Sequence, residues 1–218
     1  MFFMALFTAN AAPTHEQMDS APWSFLADRP HTETGIVKVF QAPIEGITCF
    51  KAISVSPDVD GPTLMGVVAD VPATTKWSSA GITRSELLAQ SGNSYTYFQF
   101  LDLPGWTLSS DRIWFLTAVA DNQSPTRSWK WTRMDSKGIF AERYQKYKSA
   151  NPNTIEPPVN VGAWYFRDLP EGVEVTYMIC TDAGGTMPYA LQNAATRKTL
   201  PDTVGDLVRE AKKRIGTP

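Results

Sequence analysis

Val173-Glu174-Val175-Thr176-Tyr177-Met178-Ile179-Cys180-Thr181-Asp182, followed at once by Ala183-Gly184-Gly185-Thr186-Met187-Pro188, holds the change of period that decides the fold. Val173, Val175, Tyr177 and Ile179 alternate with Glu174, Thr176, Met178 and Cys180. That is the two-residue repeat of a strand with one face turned inward. Gly184-Gly185 then supplies a turn, Thr186 can cap a helix, and Pro188 is tolerated in its first turn. Met187, Leu191, Ala194 and Ala195 fall on one helical stripe, and Leu200, Val204, Leu207, Val208, Ala211 and Ile215 form a better one beyond it. Pro201 either kinks one helix or starts a second, for which Thr199 would be the cap.

Upstream of that point, strand signals dominate from Trp23 onward. Gly35 opens Ile36-Val37-Lys38-Val39-Phe40, and Gly46 separates it from the run Ile47 to Val55, a hairpin pattern that Ser56-Pro57-Asp58 ends. Thr63 to Asp70 reads as a short helix with Leu64, Val67 and Val68 on one face, stopped at Val71-Pro72. Ile82 to Ala89 and Ser94 to Leu101 flank the turn Ser91-Gly92-Asn93. Arg112 to Ala120, Arg127 to Met134 and Val161 to Asp168 continue the series. With a weak strand near Trp23, the total is about nine. Antiparallel strands followed by one long amphipathic helix argue for an α+β fold with the helix on a single sheet face.

The chain has 218 residues, 43% apolar and 11% aromatic, enough for one large core over residues 23–216. A net charge of -2 excludes a globally basic nucleic-acid binder. No internal apolar run is long enough for a membrane helix. Residues 1–22 read as a leader and approach: Met1 to Leu6 is almost wholly apolar, and Ala9-Asn10-Ala11 resembles a small-residue cleavage site. A cleaved signal peptide would make the protein periplasmic or secreted. An ordinary apolar terminus, lacking as it does a charged n-region, would leave it cytoplasmic. The two cysteines, Cys49 and Cys180, have no metal-ligand spacing, so no metal is expected. The two histidines, His15 and His31, sit in the N-terminal part of the chain, so a histidine-based acid-base or nucleophilic enzyme would have to recruit one of them.

A further pattern emerges from the order of several motifs. Tyr97-Phe98-Gln99-Phe100-Leu101-Asp102-Leu103-Pro104 is followed by Leu108-Ser109-Ser110-Asp111-Arg112, then by Asn160-Val161-Gly162-Ala163-Trp164-Tyr165-Phe166. Val175-Thr176-Tyr177 then leads through Asp182-Ala183-Gly184-Gly185-Thr186-Met187-Pro188 to Leu191-Gln192-Asn193 and Leu200-Pro201. Together these resemble the START (StAR-related lipid-transfer) family, bacterial type, within the helix-grip or SRPBCC superfamily. The resemblance runs from about Trp23 to Ile215. It implies a START-like helix-grip fold, a curved antiparallel sheet wrapped around a long C-terminal helix with an apolar cavity between them. It also implies binding of a lipid or other apolar small molecule with no required cofactor; a monomer that performs no catalysis is expected, with transfer of the ligand as a further role. The alternative is a cyclase- or hydrolase-like enzyme in the same cavity, for which Glu86, Asp102, Arg112 and Tyr177 are the acid-base candidates. A filled core acting only through its surface is the third reading.

On this resemblance Gln99, Trp114, Leu116, Val175, Tyr177, Ile179, Met187, Leu191 and Ala195 are expected to line the cavity. Ile113 stands where the family often has an aspartate. Phe98-Gln99 and Thr117-Ala118 are uncharged where sterol-binding relatives carry a buried acid and a buried arginine, which favours a less polar or differently anchored ligand. Lys137, Phe140, Arg143, Tyr144, Lys146, Tyr147 and Lys148 interleave cations with aromatics, which suits peripheral contact with an anionic membrane. A solvated sheet edge is the other reading of that segment. The family's strand order, as read here, sets Cys49 about 14 Å from Cys180, three inter-strand steps of about 4.8 Å. That is too far for a disulfide, so free thiols are expected.

Overall fold

The two-residue turn Glu45-Gly46 has positive φ at both positions, 49° and 75°, the twist that joins antiparallel strands most tightly. It links β2 (Gly35–Ile44) to β3 (Ile47–Ser56) in a computed structural model that describes residues 11–103, 110–134, 138–185 and 187–216. The chain begins with α1 (His15–Ser20) and β1 (Ser24–His31). After β3 it crosses through α2 (Gly61–Ala69) and α3 (Thr74–Trp77) to β4 (Ile82–Ser91), β5 (Ser94–Leu101), β6 (Arg112–Asp121) and β7 (Thr126–Arg133). Then come α4 (Ala141–Ala150), β8 (Val159–Leu169), β9 (Gly172–Asp182) and α5 (Tyr189–Gly216). The nine strands form one antiparallel sheet in the order β1-β2-β3-β9-β8-β7-β6-β5-β4, so the last strand in sequence lies between β3 and β8. This is the START-like helix-grip arrangement.

The sheet's concave face and α5 enclose the main core. Val37, Val39, Phe50, Ala52, Val173 and Val175 pack with Leu200, Val204, Leu207, Val208 and Ala211 of the helix. α5 is one continuous helix with Pro201 inside it. The proline lacks the N–H that would bond one turn back, and threonine hydroxyls bond carbonyls on either side: Thr199 Oγ1 donates to Ala195 O (3.2 Å) and Thr203 Oγ1 to Thr199 O (3.1 Å). Burial of Pro201 works against the loss of that bond.

Two short helices cover the convex face, and the fold therefore begins before Trp23. In α1, the Thr14–Gln17 capping box orders a helix of six residues, and Met18 is fully buried over Ala42, Ile47, Cys49, Val161 and Cys180. His15 Nε2 lies 3.0 Å from Gly162 O and 3.2 Å from Trp131 O, tying the helix to β7 and β8. The outward residues Met178 and Cys180 of β9 are thus buried as well. α4 turns Tyr144 and Tyr147, with the preceding Phe140, onto Phe98 and Phe115; the Phe98 and Tyr147 rings stack at 4.0 Å.

The expectation of free thiols is overturned. β9 pairs directly with β3, Phe50 opposite Ile179, which sets Cys49 across from Cys180. Their Cα atoms are 4.4 Å apart, the spacing of a non-hydrogen-bonded antiparallel pair, and the sulfurs are bonded. The error came from placing two strands between them. The bridge spans 131 residues of sequence and sits beneath α1. Replacing both cysteines by alanine should lower the unfolding free energy by about 2–4 kcal/mol, measured by urea denaturation beside the oxidised wild type. A loss under about 1 kcal/mol would show that β3–β9 pairing does not depend on it.

Candidate functional site

The cavity floor comes from side chains that alternate inward along β7, β8 and β9. Trp129 and Trp131 stand two apart on β7, with Trp164 paired to Trp129 and Gly162 paired to Trp131 on β8. A Cβ at Gly162 would lie 2.2 Å from the Trp131 ring, so glycine is what lets that indole lie flat across the strand. Tyr177 of β9 completes the group, its ring centroid 4.3 Å from Trp164 and 5.8 Å from Trp131. Tyr177 thus braces Trp131 and Trp164, Tyr95 and Tyr97 brace Trp129, and between these rings and the first half of α5 remains a cavity of about 360 Å³. The size is ordinary for a small-molecule site.

The other walls are Tyr97, Trp114 and Leu116 from β5 and β6, Val68, Val71 and Trp77 from the α2–α3 crossover, and Met187, Gln192, Ala195 and Leu200 from the α5 side. Burial pushes the Tyr97 and Tyr177 hydroxyls well above the ordinary tyrosine range; at Tyr97 the indole of Trp129 opposes this weakly. Both therefore stay protonated and neutral.

Most polar groups of the lining are held by the protein itself. Gln99 Oε1 accepts from Trp114 Nε1 (3.3 Å), while its Nε2 donates to Ser85 Oγ (3.3 Å), which donates to Val71 O (2.7 Å). Arg112, 1% exposed, donates to Ala183 O (2.6 Å), Gly184 O (3.3 Å) and Ser110 O. Burial lowers its pKa, against the raising influence of Asp111. Gln192 accepts from Ala183 N (3.2 Å) and donates to Thr181 O. Arg112 and Gln192 thereby knot the turn before α5, where Gly184 and Gly185 take φ of 64° and 70°. A Cβ on Gly185 would meet Ile155 at 2.4 Å.

The structure places Gln99, Trp114, Leu116, Tyr177, Ile179, Met187 and Ala195 around the cavity. Two expected residues are not there. Val175 is fully buried in the core beside α5, and Leu191 is 44% exposed on the outer side of the helix. The helical phase explains Leu191: Gln192, Ala195, Thr196, Thr199, Leu200 and Thr203 face the cavity, so the inward position belongs to Gln192, which has backbone groups to bond. Hydropathy alone assigns the stripe the other way. Tyr97, Trp129, Trp131, Trp164 and Asn160 were missed, although the Trp129-x-Trp131 alternation was a readable signal.

Among the acid-base candidates, Arg112 and Tyr177 line the cavity, whereas Glu86 and Asp102 are exposed outside it. Glu86 instead hydrogen-bonds Tyr147, whose pKa burial and that bond push up to about 12. The described lining residues include no Asp, Glu, His or Cys. His15 lies under the convex face, and His31 packs on Gly205, 3.7 Å from Asp202. Among the described residues no cluster of His, Cys, Asp and Glu could hold a metal ion. In the basic segment, the Phe140, Tyr144 and Tyr147 rings are packed against the sheet, Lys148 donates to Thr154 O, and Arg143 and Lys146 stay exposed. Lys137 lies outside the described residues, as do Thr186 and Met1 to Asn10 of the proposed leader.

α5 is anchored unevenly. From Leu200 on, most inward positions are buried, Asp206 accepts from Ser79 N (2.6 Å), and Arg209 donates to Trp77 O (3.1 Å). Between Tyr189 and Thr199 only Gln192 is buried. Amide hydrogen exchange should therefore be faster in residues 190–199 than in 204–214; equal protection would exclude the first half of α5 as a lid. In the same vein, Leu191→Ala should change stability by no more than about 0.5 kcal/mol, while Leu207→Ala should cost about 2–5 kcal/mol, both read from denaturant midpoints.

No family model matches the chain. An uncharacterized protein of Pseudomonas aeruginosa is 26% identical over 181 residues, 82% of this chain and 83% of that one. A STAR-related lipid transfer protein from Xanthomonas axonopodis superposes with a TM-score of 0.69 at 18% identity, covering 87% of this chain and 98% of the other. Human STARD10 gives 0.72 at 14% identity over 93% and 81% of the two chains. At lower similarity, the di-domain aromatase/cyclase of steffimycin biosynthesis gives 0.51 at 11% identity over 78% and 52%. In fold, this chain is a START-type helix-grip domain.

Proposed function

We propose that the chain binds a lipid or other apolar small molecule in the cavity under α5 and performs no chemistry on it. The observation that carries this reading is the cavity itself: about 360 Å³ left open between a bracing set of aromatic rings and the loosely anchored half of the helix. A protein acting only through its surface has no need of such a space, because close packing would add dispersion contacts. Binding partners of the fold neighbours, lipids for the STAR-related proteins, are consistent with it. The cyclase reading is weaker here, since among the described residues the ionisable lining groups are one arginine bonded to backbone carbonyls and tyrosines kept neutral by burial. Neither is suited to move a proton near neutral pH.

The buried disulfide extends the proposal to location. A structural disulfide between strands fits maturation in an oxidising compartment, such as the periplasm or the outside of the cell.

Native mass spectrometry of the purified protein should show a bound mass that organic extraction removes. Leu116→Trp, at a buried position on the cavity wall, should lower the bound fraction while shifting stability by less than about 1 kcal/mol, because the indole enters ligand space. In a filled core the same change costs about 1–3 kcal/mol. Retained ligand together with a large loss of stability would sink the reading.

A further inference from the structure

Asn160 differs from the two glutamines of the cavity wall. It is 5% exposed, lines the cavity from β8, and its Oδ1 accepts the indole N–H of Trp131 at 2.9 Å. That donor fixes the orientation of the amide, because an NH₂ group cannot accept the indole proton. Nδ2, with its two protons, is left without an acceptor among the described residues, on a side chain that lines the cavity. A buried donor without a partner costs free energy. Gln99 and Gln192, by contrast, have both ends of their amides bonded within the protein.

From this we infer that Asn160 Nδ2 is a ligand-contacting donor, and that the ligand is an apolar molecule carrying an oxygen acceptor, a carbonyl or hydroxyl, at the end that lies by β8. The neighbourhood suits such an end. Thr181 pairs with Asn160 across β8 and β9 and also lines the cavity, while Trp131 and Tyr177 offer the apolar body flat ring faces. With no carboxylate among the described lining residues, nothing there selects a cationic ligand end. This inference rests on the proposed binding of an apolar molecule.

Two probes of matched size separate the two ideas: 2-acetonaphthone, which has a carbonyl acceptor, and 2-ethylnaphthalene, which has none. Calorimetric titration of the full chain and of Asn160→Leu with each probe gives a two-by-two comparison. The variant should bind the ketone roughly tenfold more weakly, a lost hydrogen bond to a buried donor, and the hydrocarbon within about twofold of wild type. Equal effects on both probes, or none, would overturn the role of Asn160 and leave apolar binding standing. If wild type binds neither probe, the binding reading fails and this inference with it. Should Asn160→Leu not fold, because the Trp131 indole loses its acceptor, wild type alone decides. A magnetisation-transfer cross-peak between the acetyl methyl of the bound ketone and the Asn160 side-chain amide protons is expected, together with a downfield shift of its carbonyl carbon relative to cyclohexane. A shift equal to that in cyclohexane, or no cross-peak, overturns it.

Discussion

The pairing of β3 with β9 is the contact on which the rest of the molecule depends. It joins residues about 130 apart in sequence, and without it the sheet would be two separate hairpin systems, β1–β3 and β4–β9. Once it forms, β9 delivers α5 across the concave face, where Phe50 and Ala52 of β3 and Val175 of β9 share one core with the helix. Such long-range closure costs chain entropy before any contact rewards it. The disulfide at this seam, covered by α1, reduces that cost by limiting the unfolded chain.

The seam also explains why the two halves of α5 differ. Beyond Leu200 the helix lies over the β1–β3 side, where apolar side chains are dense and Arg209, Lys212 and Arg214 reach Trp77 O, Glu33 O and Asp70. Before Leu200 it lies over the strands that carry the large rings. There the side chains offered by the helix are small or polar, Ala195, Thr196 and Thr199, and they do not reach the floor. The cavity is thus written into a size mismatch: rigid aromatics on the sheet, short side chains on the facing helix turns.

Much of this was legible in the sequence. The nine strands, the final helix and the inward set Val173, Val175, Tyr177 and Ile179 follow from period alone, because burial on one face imposes it. The motif order pointed to the same fold. What failed was whatever depended on neighbours distant in sequence. Cys49 and Cys180 are opposite each other only because β9 inserts beside β3, a fact of topology that neither strand's own residues encode. Leu191 was set inward where Gln192 belongs because hydropathy cannot see that Thr181 O and Ala183 N need partners. α1 escaped notice since six residues carry too little periodicity, although its Thr14-x-x-Gln17 box was there to be read.

The remaining question is why such a space persists at all. Side chains that line an open space forgo the dispersion contacts that close packing would give them, a real cost in a chain of marginal stability. Collapse is resisted because Trp131 and Trp164 are already packed on Tyr177, Trp129 on Tyr95 and Tyr97, and Trp131 over Gly162, and none can swing inward without breaking those contacts. The forgone dispersion energy is then available to whatever enters, and occupancy should stabilise the first half of α5, the part with least burial of its own. Binding and closure of the helix are in this sense one equilibrium: the ligand supplies the inward contacts that Ala195, Thr196 and Thr199 are too short to make.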